Sequence, residues 1–390
     1  MVAGLVGALT GFASTFVLVL AGLHTVGATP AEAASGLLTL CIFQAVLAIV
    51  LSLRYRMPLS FAWSSPGAAL LIAAHATTHS FAAAVGAFMV CGALTVITGL
   101  WPTLTRAITR IPTPIASAML AGILFPICLA PIEASVKLPL LALPIVVVWL
   151  VLYGLAPRWA VPGALVMTIV VVGIHAGTGW LHSSLVVPQV QLVPPSFQPL
   201  VIVSLGVPLF LVTMAGQNVP GFAVLKTFGY EDAPARPILV SSGALSVVGA
   251  LFGAHVLNLA ALTAAIMAGP DAHPDRSKRW VASVTAGAVY ILLGLAAGLA
   301  SSLVAATPPL LITTIAGLAM LGALVSAIAA SLEQPENRIV AILTFLVVAS
   351  GIVIVGVGSA FWGLLVGGIV MLWLAWHRRR RDRKDVTSTS

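Results

Sequence analysis

A chain of 390 residues with 60% hydrophobic and 7% charged side chains, and a mean hydropathy of +1.13, is not a soluble globular protein. Its formal net charge of +8 does not point to nucleic acid, because the basic residues sit in short connections and one tail. Apolar runs of about 18 residues or more recur from end to end and none alternates like a barrel strand, so the chain is expected to be an all-α polytopic membrane protein.

The hydropathy pattern predicts fourteen transmembrane segments, near residues 3–24, 31–53, 59–76, 81–104, 111–131, 138–156, 159–176, 199–225, 237–252, 254–268, 280–304, 308–331, 338–356 and 358–377. The first run lacks a basic leader and a cleavage site and is expected to be retained. Cys41, Cys91 and Cys128 all fall in apolar runs and are odd in number, which argues against a disulfide framework. With the N-terminus in the cytoplasm, every Lys and Arg except Lys137 falls on the inner side, including the Arg54/Arg56 and Arg106/Arg110 connections. The positive-inside rule rarely separates so cleanly when a span is missed or invented in mid-chain, so fourteen is preferred to twelve.

The longest polar interruption, from about Ala176 to Pro199, divides the spans seven and seven. Seven is odd, so a repeat of the first half enters the membrane upside down, the plan of many secondary transporters, with broken helices in matching positions. The first half is taken as residues 1–180 and the second as 195–378, with 379–390 a cytoplasmic basic tail. The third segment of each half should correspond. In the first, Pro66 interrupts the helix, so Ser65 is expected to cap a half-helix that Pro66 begins. In the second, Asn258-Leu259-Ala260-Ala261-Leu262 echoes Ser65-Pro66-Gly67-Ala68-Ala69-Leu70. From Pro66 to Ala76, and from Asn258 to Ala268, each piece spans about 16 Å as a helix, half of a hydrocarbon core. Leu59–Ser64 and Gly253–Leu257 can cover the other half only if extended. Taken alone, Ser65-Pro66-Gly67 reads as a packing kink. Paired across an inverted repeat, it reads as half of an anion cradle made from two helix N-termini.

All ten carboxylates can be placed in connections or tails, which disfavours a cation porter and favours an anion. Gln217 and Asn218, followed by Pro220-Gly221, stand about 13 Å in from Lys226, near mid-depth. They either satisfy a helix irregularity or bind a ligand. Phe12, Ser14 and Thr15 lie at similar depth, with helix packing or ligand contact both open. His255 is either a neutral imidazole on freed backbone or a proton carrier. The Asp271, His273, Asp275 pattern is read as a loop or helix cap rather than a metal site.

Leu53-Arg54-Tyr55-Arg56-Met57-Pro58 running into Ala62-Trp63-Ser64-Ser65-Pro66-Gly67-Ala68-Ala69-Leu70-Leu71 resembles the benzoate:proton symporters, the BenE-type benzoate membrane transport proteins. So do Gln217-Asn218-Val219-Pro220-Gly221-Phe222-Ala223-Val224-Leu225 and the stretch Gly253–Ile266, which continues into Gly269–Asp275. The resemblance covers nearly the whole chain. It implies uptake of benzoate with protons across a bacterial inner membrane, and the seven-plus-seven fold of nucleobase permeases and sulfate/bicarbonate anion transporters. In that fold, segments 1–4 and 8–11 form a core that moves against a gate of segments 5–7 and 12–14. Nucleobase relatives carry carboxylates in segments 8 and 10, where this chain has Gln217 and the His255–Asn258 region.

The expected substrate site is therefore Ser65, Gly67, Asn258 and Leu259 at the half-helix ends, Gln217 and Asn218 at the side, Ser14 nearby, and Phe12, Phe61 or Trp63 against the aromatic ring. Proton entry is assigned to His255 or to uptake of the acid itself. No cofactor or metal is called for, and the expected partners are an aromatic carboxylate, protons and the lipid bilayer, with a homodimer left open. The rivals are a nucleobase or inorganic-anion porter of the same fold and, remotely, an integral membrane enzyme. No H-E-x-x-H, buried Ser/His or paired-carboxylate arrangement supports the last.

Overall fold

Prolines and small polar caps set the helix ends of this chain. A computed structural model describes residues 1–74, 78, 80–101, 112–182, 187 and 189–388. The expected end of the third segment at residue 76 and the Arg106/Arg110 connection lie outside the described residues. Helix α1 (Val2–Thr25) leads into α2 (Pro30–Tyr55), whose start is a capping box: Thr29 and Glu32 exchange side-chain and backbone hydrogen bonds, with Pro30 in the first turn. A short strand β1 (Phe61–Trp63) precedes α3 (Ser65–Ala73), followed by α4 (Phe81–Leu100), α5 (Thr113–Lys137), α6 (Pro139–Leu155) and α7 (Ala160–Ala176).

The second half opens with α8 (Pro199–Thr227), then α9 (Ala235–Ala250), strand β2 (Leu257–Leu259) and α10 (Leu262–Ala268). Helices α11 (Trp280–Leu295) and α12 (Ala297–Ala306) meet at a 52° bend, and α13 (Pro309–Leu332), α14 (Arg338–Ala349) and α15 (Ser359–Ser388) complete the chain. Among the described residues seven helices are long and apolar enough to cross a membrane, and the bent α11–α12 pair passes the same test together. Leu140, Leu155, Ile174, Leu292, Ile339 and Leu372 are all well exposed, a surface suited to lipid rather than water. The protein is a polytopic helical membrane protein.

Helix α8 is not uniform. Ile202–Gly206 and Met214–Asn218 are π-helical, each lying just ahead of a proline, Pro208 or Pro220. A proline supplies no amide to the turn before it, and the widened turn absorbs that loss. The irregularity expected at Gln217-Asn218-Val219-Pro220-Gly221 is thus present.

Close helix pairs bring the halves together: α4 packs on α9, α2 and α1 on α11, and α5 on α13 and α14. Across α4 and α9 two glycines face one another. A Cβ on Gly243 would lie 2.7 Å from the Gly92 carbonyl oxygen, and one on Gly92 would lie 2.9 Å from that of Gly243. The Asp271–Asp275 connection is a cap, as its sequence suggests. Asp275 accepts from the Ser277 hydroxyl (2.7 Å) and amide (2.9 Å), which hold its carboxyl below the usual range. Buried Arg279 donates to the carbonyls of Ala268 and His273, closing the far end of α10.

Replacing Gly92 or Gly243 with Val forces these helices apart. Overpacking of this kind costs about 1–3 kcal/mol, so either variant is expected to lower the thermal unfolding midpoint in detergent. An unchanged midpoint would show that the contact is not tight.

Candidate functional site

The two extended pieces meet as an antiparallel pair, with Phe61 opposite Leu259, Ala62 opposite Asn258 and Trp63 opposite Leu257. The ladder runs on at both ends through Ser64 N–H to the Val256 carbonyl (3.0 Å) and Ala260 N–H to the Ser60 carbonyl (2.9 Å). The hydrogen-bonded positions alternate along an antiparallel pair, so the amides of Leu257 and Leu259 point away from β1. Side chains fill both. Ser246 Oγ accepts from Leu257 N–H (2.9 Å) and Asn218 Oδ1 from Leu259 N–H (2.9 Å). The side chains of Ser60 and Thr263 add a hydroxyl pair at 2.7 Å. The sequence predicts extended backbone here, and the strand pairing is what satisfies it.

Both half-helix starts differ from expectation. Ser64, not Ser65, caps α3: its buried Oγ accepts from Gly67 N–H (3.0 Å) and from Thr213 Oγ1 (2.7 Å). The cap-to-third-residue geometry favours Ser64, and the Thr213 hydroxyl from α8 holds it. Ser65 becomes the first helical residue, and Gly67 lies buried with its amide already used. In the second half Asn258 is not a cap at all. It lies within β2, and α10 begins only at Leu262, because strand pairing keeps the chain extended to Ala260. Asn258 Nδ2 donates to the Leu259 carbonyl, and Gln217 Oε1 accepts from Ala261 N–H (3.3 Å). The α10 start is thus offset from Asn258 and carries no side-chain cap, so the two half-helix ends do not match as expected.

Beside the strand pair is a cavity of about 40 Å³. A water needs roughly 10–15 Å³ of such space, so the cavity holds a few waters. Of the expected residues Ser14, Trp63, Ser65 and Gln217 line it. Trp63 is buried, donates Nε1–H to Thr15 Oγ1 (3.0 Å), and meets the rings of Phe12 and Tyr290 edge-on at 6.0 and 6.2 Å. Ser14 and Thr15 both donate to the Gly11 carbonyl, the helix-packing role. Gln217 Nε2 and the Ser65 amide have no partner among the described residues.

The remaining expected residues stand behind this lining. Phe61 and Leu259 are fully buried opposite one another, Phe12 supports Trp63, and Asn218 is committed to β2 and to Met214 Sδ. His255 is also buried away from the cavity, edge-on to Phe88 at 6.4 Å, with Nδ1 accepting from Val256 N–H (2.7 Å). An imidazole accepting at Nδ1 is the neutral Nε2–H tautomer. Among the described residues no Asp or Glu is buried, and Arg279 is the sole buried charged residue. Sequence reasoning passed over Ser64, Thr213, Ser246, Thr263 and Tyr290. For Tyr290 a signal existed: a lone phenol deep in the apolar eleventh segment.

A second, larger cavity of about 400 Å³ lies where Leu70 and Ala73 of α3 face Ile123 and Glu133 of α5, Thr313 of α13 and Val348 of α14. It separates the far end of α3 from helices α5, α13, α14 and α15.

A family model described as "benzoate membrane transport protein" matches residues 1–373. The chain is 38% identical over 383 residues to the inner membrane protein YdcO of Escherichia coli K12, covering 97% of each. It is 32% identical over 326 residues to the benzoate membrane transport protein of Acinetobacter baylyi, covering 84% of this chain and 82% of that one. Among solved structures, the transmembrane domain of the cyanobacterial bicarbonate transporter BicA matches with a TM-score of 0.58 at 16% identity, over 94% of this chain and 96% of that one. The murine anion transporter Slc26a9 in its inward-facing state matches with a TM-score of 0.62 at 13% identity, over 97% of this chain and 69% of that one. At these identities the likeness concerns the fold.

Asn218→Leu strands the Leu259 amide in the interior, at a cost of about 1–3 kcal/mol. The variant is expected to unfold at a lower temperature than the wild type. An unchanged midpoint would show that the strand edge does not need this amide.

Proposed function

The chain belongs to the benzoate membrane transport protein family and is a membrane transporter, and from that premise we propose that it imports benzoate or a similar aromatic carboxylate together with protons. One observation carries the substrate class. The small cavity presents neutral hydrogen-bond donors and aromatic ring edges, with no buried carboxylate nearby. Neutral donors receive a carboxyl group without the desolvation penalty of an ion pair, and the rings suit an aromatic body. In this proposal Ser65 and Gln217 meet the carboxyl group, while Trp63, supported by Phe12, meets the ring. Gly67, Asn218, Asn258, Leu259 and Phe61 hold the backbone in place behind them.

The architecture proposed for this activity is fourteen crossings in a seven-plus-seven inverted repeat with both termini cytoplasmic, in a bacterial inner membrane. The antiparallel meeting of β1 and β2 supports the repeat, since such a pair is related to itself by a local two-fold axis. Segments 1–4 and 8–11 form the moving core and segments 5–7 and 12–14 the gate. The 400 Å³ cavity between α3 and the gate helices then faces outward, and supports alternating access by motion of one body against the other. Pockets for drug-sized ligands are roughly 300–1,000 Å³, so the 40 Å³ space must open to admit substrate.

The proton travels either on His255 or on the acid's own carboxyl. The geometry favours the carboxyl. Protonating His255 at Nδ1 would cost its bond from Val256 N–H and leave a charge in a buried apolar setting. A nucleobase or inorganic-anion porter is the second reading, favoured by the fold it shares with the bicarbonate and Slc26a9 anion transporters.

In proteoliposomes an inward proton gradient is expected to drive uptake of labelled benzoate, which an uncoupler abolishes and which uracil and sulfate do not compete. Uptake indifferent to the gradient would sink the symport, and competition by sulfate or uracil would favour the second reading. His255→Gln is expected to retain proton-driven uptake; a coupled flux that becomes independent of the gradient would instead make His255 the carrier.

A further inference from the structure

We propose that Tyr290 of α11 is a substrate-binding residue, its phenol donating a hydrogen bond to the carboxyl group and thereby selecting acids over neutral aromatic analogues. Tyr290 is 4% exposed and lines the small cavity together with Trp63, Ser65 and Gln217. Its hydroxyl makes no hydrogen bond among the described residues. Most polar neighbours are committed elsewhere. Thr15 Oγ1 accepts from Trp63 and donates to Gly11, Ser14 donates to Gly11, and Thr263 pairs with Ser60. Among the described residues the donors around the cavity left without a partner include the Ser65 amide and hydroxyl, Gln217 Nε2 and the Tyr290 hydroxyl.

The position of this hydroxyl is built in. A Cβ on Gly11 would lie 2.6 Å from it, so only glycine leaves the space the phenol occupies. Its ring is held edge-on by Trp63, itself anchored by Thr15. A buried polar group left unpaired costs free energy. A carboxylate offers acceptor lone pairs on both oxygens to these donors, whereas an aromatic amide offers a single acceptor oxygen and so leaves more of them unmet. Tyr290 also sits outside segments 1, 3, 8 and 10, so the site is closed by a fifth element.

This assignment rests on the aromatic-carboxylate reading, and the test separates the two. Benzoate and benzamide affinities are measured on the purified full chain in nanodiscs for the wild type, Tyr290→Phe and Gly11→Ala. The wild type is expected to prefer benzoate. Tyr290→Phe, which keeps the ring and its contact with Trp63, is expected to weaken benzoate by about tenfold and leave benzamide and the unfolding midpoint unchanged. Gly11→Ala keeps the hydroxyl but fills its place, and the same loss of preference is expected. Unchanged benzoate affinity in Tyr290→Phe overturns the assignment, as does an equal loss for both ligands, and retained preference in Gly11→Ala overturns the placement. Failure of the wild type to bind benzoate overturns the carboxylate reading and this assignment together.

Discussion

Backbone amides and carbonyls inside a membrane protein have no bulk water to bond, and this constraint governs the centre of the molecule. Two extended segments cross there, and their unpaired groups would be prohibitive singly. Pairing β1 with β2 removes the inner edge of each, and Ser246 and Asn218 take the outward amides of β2. The two half-helices, the π-turn in α8 and the Ser64 cap all take their positions from this crossing. Asn218 can reach Leu259 because the π-segment Met214–Asn218 widens α8 beside β2.

The same economy shapes the cavity. Amides and hydroxyls that stabilise the crossing are used up, and those left over point into a space too small for an aromatic acid. The two half-helix starts differ: Ser64 caps α3 through the Gly67 amide, whereas no side chain caps α10 and Gln217 meets only the amide of its N-cap residue, Ala261. The site is therefore asymmetric although the strands that carry it pair symmetrically. In the proposed role, this donor-rich, charge-free surface would receive a carboxyl group by substituting for its hydration, beside the rings of Trp63 and Tyr290.

Much of this was legible from residues. The broken third and tenth segments follow from Pro66 and from lengths that cover half a bilayer, and the twin amides before Pro220-Gly221 announced an irregular helix. Depth and motif grouped Ser14, Trp63, Ser65 and Gln217, and these four do line one cavity. Asn258 was misread as a cap because a polar residue before small ones looks alike in a helix start and in a strand. Ser65 is expected as the cap because it directly precedes Pro66, whereas the cap is Ser64, whose hydroxyl meets Gly67 N–H and is further held by Thr213, 149 residues away.

By itself the sequence determined that this is a polytopic helical membrane protein of the benzoate membrane transport family, with two interrupted segments and its carboxylates kept out of the interior. Hydropathy, proline and charge act locally, and local chemistry is readable in order along the chain. Only the tertiary structure decided that the extended pieces pair, that His255 faces Phe88 rather than the cavity, and that Tyr290 turns its hydroxyl toward Gly11. Those outcomes depend on which distant donor meets which acceptor once the helices pack, and spacing along a chain does not encode that.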